Sequence, residues 1–154
     1  MADIQHSDAV KALDVLRDML LKDSGARMTY SDLCVALGRD PTREGRYIGQ
    51  VASRIDAACF YADLPFLATD RVRRTNDGSV NEASLDGPLW GPHRDRLFEI
   101  ASSHLWTEDD FKKVAIRLRD LGDNSAKAIW ERIESRGEIA VVRALAAGNR
   151  RKPE

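Results

Sequence analysis

Arg43, Arg46, Gln50 and Arg54 recur at spacings of three and four residues. A helix through them would carry all four on one face. Those residue types suit nucleic acid: Arg and Gln pair bidentately with base edges, and Arg also holds phosphates. An ordinary solvated helix face would look the same. A second group of cations follows at Arg71, Arg73 and Arg74. Between Arg39 and Arg74 there are seven Arg against five Asp or Glu, a slight basic excess in a chain of formal net charge −1. Phosphate neutralisation supplies much of the affinity of tight DNA binders, which are usually basic. Any such interaction here must rest on a local patch.

The elements that would position these residues follow one another closely. Ser7 to Lys22 predicts a first helix with Val10, Leu13, Leu16, Met19 and Leu20 inward and Ser24-Gly25 as its stop. Met28-Thr29-Tyr30 is an extended link, and Ser31 caps a second helix that ends at Gly38. Pro41 breaks the chain, and Thr42 caps a third helix from about Arg43 to Tyr61, with Tyr47 or Ile48, then Val51, Ile55 and Cys59 buried. "FLATDRVRRT" reads as a strand, Asn76-Asp77-Gly78 as a tight turn and "SVNEASL" as the returning strand. Helix, turn, helix and hairpin in that order predict a mostly α (α+β) winged helix-turn-helix over residues 1–90.

A Pro/Gly-rich linker from Asp86 to His93 leads into a helical extension over 91–148. Its segments run from Arg94 to His104, from a Thr107 cap to Gly122, and from Asn124 to about Ala147, where Gly137 can divide the helix. Phe111, Val114, Ala115 and Leu118 form one apolar face, and the last helix carries Ile129, Trp130, Ile133, Ile139, Val142 and Leu145 as its apolar residues. Residues 149–154 are expected to be a disordered basic tail.

Other chemistry is not apparent. The ten glycines form no phosphate-binding loop. Cys34 and Cys59 lie in apolar-periodic stretches and read as reduced core thiols. His6, His93 and His104 are isolated in sequence, and "TEDD" at Thr107–Asp110 reads as helix capping. Trp90, Trp106 and Trp130 could stack on bases, though packing is the commoner use of such rings. No metal or cofactor is expected. No leader or membrane-spanning run stands out, so a cytoplasmic location is expected.

The segment from Met28 to Glu82 resembles the C-terminal winged-helix domain of the alkylguanine-DNA alkyltransferases and their inactive alkyltransferase-like relatives. The resemblance lies in Thr29-Tyr30 followed by "SDLCVALG", in Arg46-Tyr47-Ile48-Gly49, and in "ATDRVRRTNDG". It implies that Tyr30 presses on the phosphate of a flipped nucleotide, that Arg46 fills the gap in the base stack, and that Gly49 permits close helix approach. Thr69 stands where that family has its reactive cysteine, flanked by Ala68 and Asp70 in place of Pro and His. A threonine with no adjacent base is not an activated thiolate. "IDAACFYADLPFLATDRVRRTNDG" is also similar to modules accompanying some bacterial HNH endonucleases, through Leu64-Pro65-Phe66-Leu67, Val72 and Gly78. No HNH nuclease motif follows.

These readings converge on a non-enzymatic protein that binds double-stranded DNA, with modified or damaged DNA as the target the resemblance implies. The contacts would be Tyr30, Arg43, Arg46, Gln50, Arg54, Arg71, Arg73 and Arg74. The alternative is a regulatory module that kept the scaffold, lost DNA binding, and meets a protein partner through its C-terminal helices. An exposed apolar patch on those helices would mark it.

Overall fold

Eight α-helices and one pair of short strands build the computed structural model, which describes residues 2–80, 85, 87–122 and 124–147, with side chains from residue 6 onward. The first helix, α1 (Ala2–Lys22), begins ahead of Ser7. It buries Ala9, Ala12, Leu13, Leu16 and Leu20, while Val10 stays 43% exposed. β1 (Met28–Thr29) leads directly into α2 (Tyr30–Ala36). Thr29, not Ser31, caps α2. Its hydroxyl accepts from the Asp32 amide at 3.0 Å, and the Asp32 carboxylate accepts from the Thr29 amide at 3.3 Å. Gly38 takes φ 73°, which lets the Arg39 amide reach the Cys34 carbonyl at 2.9 Å and close the helix.

The turn after α2 is organised by Asp40 rather than Thr42. Asp40 accepts from the Thr42 amide at 3.0 Å and its hydroxyl at 2.8 Å, and Glu44 accepts from the Asp40 amide at 2.8 Å. α3 (Gly45–Tyr61) follows. Its inner face is Ile48, Val51, Ile55 and Cys59 as the spacing predicts, and from Ala57 to Phe60 every residue is buried. Both cysteines are free and buried.

The next segment departs from the sequence reading. Leu67–Arg71 is a short helix, α4, not a strand. Its first amides are capped from another helix: Asp56 of α3 accepts from the Ala68 amide at 2.7 Å and the Thr69 amide at 3.0 Å. A side chain twelve residues upstream thus supplies the signal that local propensity lacks. Only β2 (Val72–Arg73) is extended, and it pairs in parallel with β1, Met28 opposite Val72 and Thr29 opposite Arg73. The Asn76-Asp77-Gly78 turn forms, with Gly78 at φ 71° and the Arg74 amide donating to the Ser79 carbonyl at 2.7 Å. Residues 81–84 of the expected returning strand lie outside the described residues, as does the 149–154 tail.

A 3-10 turn at Gly91–His93 opens α5 (Arg94–Ser103), followed by α6 (Glu108–Leu121), α7 (Ala126–Glu134) and α8 (Glu138–Leu145). Thr107 caps α6 as expected, and Asp110 reciprocates to complete a capping box. Phe111, Val114 and Leu118 of α6 share a core with Leu16 of α1 and Ile55 of α3, while Ala115 faces out. A second core joins Ala57, Phe60, Phe66 and Trp90 to Leu97, Ile129, Ile133 and Val141. Gly137 at φ 62° divides α7 from α8. The buried face nevertheless keeps its period across the break: Ala140, Val141 and Ala144 follow Ile133 at helical spacing and face inward, whereas Ile139 and Val142 fall off that stripe and are 73% and 64% exposed, against the sequence expectation.

Because Leu118 is fully buried between α1 and α3, Leu118→Ala should destabilise the whole chain by about 2–5 kcal/mol. Urea denaturation followed by circular dichroism checks this. A separate, unshifted transition for the N-terminal helices would show that α6 is not part of their core.

Candidate nucleic-acid interface

The helix face read from Arg43, Arg46, Gln50 and Arg54 divides in two. Arg43, Arg46 and Gln50 are exposed at and just beyond the start of α3. Arg43 makes only a loose ion pair with Asp40 at 3.8 Å, its side chain 85% exposed. Arg46 has no ion-pair partner among the described residues. Arg54 is fully buried. Its guanidinium donates to the Gly122 carbonyl at 2.5 Å and to the Asn124 carbonyl. It is a cap for the end of α6, where backbone carbonyls have no helical partner. A guanidinium committed to those carbonyls cannot reach DNA, so Arg54 leaves the predicted face.

The second cationic group divides in the same way. Arg71 is fully buried and sits beside Asp70, with Nε 3.0 Å from a carboxylate oxygen, and it donates to the Ala26 carbonyl at 3.2 Å. Burial pulls the Arg71 pKa below the ordinary arginine value, while Asp70 beside it pulls the other way. Arg71 is therefore structural, a correction to its predicted role. The alternation expected of a strand fails here because Arg71 ends α4. Arg73 is half-buried and donates to both the Asp70 carbonyl, at 2.6 Å, and its carboxylate, at 3.0 Å. Arg27 completes a trio around Asp70 at 3.4 Å, its side chain 37% exposed. Arg74 is half-buried at the mouth of the turn, with Asp77 in its field.

Tyr30 is half-buried at the first position of α2 and packs against the main core. The strand register sets Thr29 against Arg73, and the Ser31 amide donates to the Thr75 hydroxyl at 2.9 Å. The start of α2 and the Arg73–Thr75 segment thus lie side by side. The parallel pair brings together residues more than forty positions apart in sequence. Gly49 is half-buried, and an added Cβ there would meet nothing within 4 Å.

The Thr69 hydroxyl donates to the Asp56 carboxylate at 2.6 Å. The threonine does have a carboxylate neighbour, which its adjacent sequence did not reveal. The same carboxylate already accepts two backbone amides, so the arrangement is a capping site. Asp56 is pushed up to about 7, chiefly by burial; the Thr69 hydroxyl and the two amides pull it down, and Asp70 adds repulsion. Burial also raises both cysteine thiols, Cys59 far more than Cys34, which disfavours a reactive thiolate.

The remaining candidates resolve as packing. Trp90 and Trp130 meet edge-to-face at 6.1 Å, each also against Phe66. Their indole N–H groups donate to Glu134 at 2.8 Å and to the Ser53 carbonyl at 2.9 Å. Trp106 is buried between His104 and Phe111. His104 is not isolated: its Nε2 lies 3.0 Å from Asp110. His93 stays half-buried with Nε2 3.9 Å from Glu138. Among the described residues no group of three metal-ligating side chains converges, and no helix is long and apolar enough to cross a membrane.

Asp56 makes stability depend on pH. An ordinary Asp titrates near 4 in the unfolded chain. The folded protein holds this proton more tightly, so the contribution is full below about pH 4 and is lost as pH rises through about 7. In Asp56→Asn the group no longer titrates. Between pH 4 and 7 the stability of the natural protein relative to that variant should therefore fall. The slope is on the order of 1.4 kcal/mol for each step of one in pH. Urea titrations across that range check it, and a difference flat in pH would contradict it.

No protein-family model matches the chain, and no curated protein or solved structure shows significant similarity to it.

Proposed function

We propose that this chain is a non-enzymatic DNA-binding module that presents the start of α3 to a groove. One observation carries the reading: Arg43, just ahead of α3, and Arg46 and Gln50 on its first turns stand exposed, while the inner face of that helix is fully committed to the core. A helix start seated in a groove would set Arg43 and Arg46 against phosphates and Gln50 against a base edge. Tyr30 and Arg74, at the start of α2 and the mouth of the neighbouring turn, would hold the flanking phosphates. The Asn76-Asp77-Gly78 turn would be the tip of a wing. The likeness of Tyr30 and Arg46 to nucleotide-engaging residues of the alkyltransferase family extends the proposal to modified or damaged DNA. Thr69, bound to a carboxylate that caps a helix, supports recognition without alkyl transfer.

The electrostatics set the scale. Arg54 and Arg71 are withdrawn and Arg73 is shared with Asp70, leaving Arg43, Arg46 and Arg74 as the phosphate-facing cations. Each neutralised phosphate contributes about −0.9 to the slope of log affinity against log salt, so a slope near −3 is expected.

A second reading has its own observation. Ile139 and Val142 are 73% and 64% exposed on α8, an apolar pair one helical turn apart that suits a protein partner. Under that reading Ile139→Asp would abolish an association seen by sedimentation equilibrium and leave DNA affinity untouched.

The DNA reading is tested by fluorescence anisotropy with a labelled duplex, intact or carrying an alkylated base, over a salt series. Arg46→Ala should weaken binding by about 1–3 kcal/mol and reduce the salt slope by about one. Arg54→Ala should instead lower stability. No binding of any duplex at low salt would refute the proposal.

A further inference from the structure

The exposed start of α3 is held in place by a residue far from it in sequence. The N-cap position of α3, Glu44, makes no side-chain capping bond to it. Glu44 turns instead to the preceding loop, to the Asp40 amide at 2.8 Å and to Arg39 at 3.4 Å. The first turn of α3 is tied down by tertiary contact. The Tyr47 hydroxyl donates to Asp8 Oδ2 at 2.5 Å, and Arg39 donates to the same oxygen at 2.8 Å. Arg39 also lies over the Tyr47 ring, 5.2 Å from its centroid. Asp8, on α1, is 3% exposed. One buried carboxylate oxygen thus joins α1, the α2–α3 turn and α3. Tyr47 immediately follows Arg46.

We propose that Asp8 is the positioning residue of the α3 face: through Tyr47 it fixes the first turn of α3, and so sets where Arg43 and Arg46 point, without touching the ligand. The proposal rests on the DNA reading of that face. A carboxylate accepting a phenol hydrogen bond in a buried site holds its partner in one geometry, because hydrogen bonds to a charged group are about twice as strong as neutral ones. Losing that bond lets the first turn fray, and a frayed helix presents its two arginines over a range of positions. The cost appears as reduced affinity, since only part of the population is competent to bind. The number of phosphates contacted does not change, so neither does the salt slope.

The test uses the full chain and a labelled duplex. Tyr47→Phe, which changes no charge, should weaken binding by about threefold to thirtyfold, the range of one modest hydrogen bond. Its salt slope should match that of the natural protein, whereas Arg46→Ala lowers the slope. Asp8→Ala and Asp8→Asn carry the same charge, but only Asn retains an acceptor for the Tyr47 hydroxyl. Asp8→Asn should therefore bind several-fold more tightly than Asp8→Ala. Hydrogen exchange at the Ile48 amide, which donates to the Glu44 carbonyl at 3.0 Å, should quicken in Tyr47→Phe and Asp8→Ala, and recover in Asp8→Asn. Equal affinity of Tyr47→Phe and the natural protein, or a slope that falls in Tyr47→Phe, would overturn the positioning role. If the natural protein binds no duplex, the DNA reading fails on its own. Exchange at Ile48 then decides the latch by itself, and unchanged protection in Tyr47→Phe and Asp8→Ala overturns it.

Discussion

A helix buried on nearly every side must satisfy all of its polar groups inside the protein, and the second half of α3 is such a helix. Arg54 and Asp56 sit there, fully or almost fully buried. A buried charge without partners is strongly destabilising. Each of these two is therefore given backbone partners that are short of their own. Arg54 takes the orphan carbonyls past α6, at Gly122 and Asn124. Asp56 takes the orphan amides of α4, at Ala68 and Thr69. The opposite signs match the opposite ends of helices, since helix starts favour anions and helix ends favour cations. One central helix in this way fixes where α4 begins and where α6 ends.

The rest of the candidate interface follows from those two caps. Once α4 is fixed, Asp70 and Arg71 at its end are drawn inside, and Arg27 and Arg73 gather around Asp70 from the edge. β2 is delivered to the side of β1, and that pairing places the Arg73–Thr75 segment beside Tyr30 and Ser31. Burial near one end of α3 and exposure near the other are thus two sides of one arrangement. The inner residues hold the scaffold, and Arg43, Arg46 and Gln50 stay on the exposed side.

Much of the local structure was legible from residue types. The Thr107 cap, the end of α2 at Gly38, the Asn76-Asp77-Gly78 turn and the apolar face of α3 each depend on neighbours within a few positions, so spacing alone reports them. The short helix at Leu67–Arg71 was not legible. Its cap comes from Asp56, twelve residues away, and the β-rich composition of the segment points the other way. The same limit hid the Thr69–Asp56 and His104–Asp110 contacts. Ile139 and Val142 are a different miss: the period from Ile133 runs through Ala140, Val141 and Ala144, and the two larger side chains fall off it.

By itself the sequence determined a mostly helical chain, the order of its longer helices and the apolar stripe of α3 that enters the core, because hydrophobic periodicity and capping act over one or two turns. A helical wheel treats every arginine on a face as equivalent. Only the tertiary structure decided that Arg54 and Arg71 serve the interior while Arg43 and Arg46 stay outside, and that Asp8 reaches Tyr47 across the fold. The reason is that burial is not a property of a residue or its neighbours. It depends on which distant element packs above it, and here α6 covers the middle of α3 and leaves its beginning open.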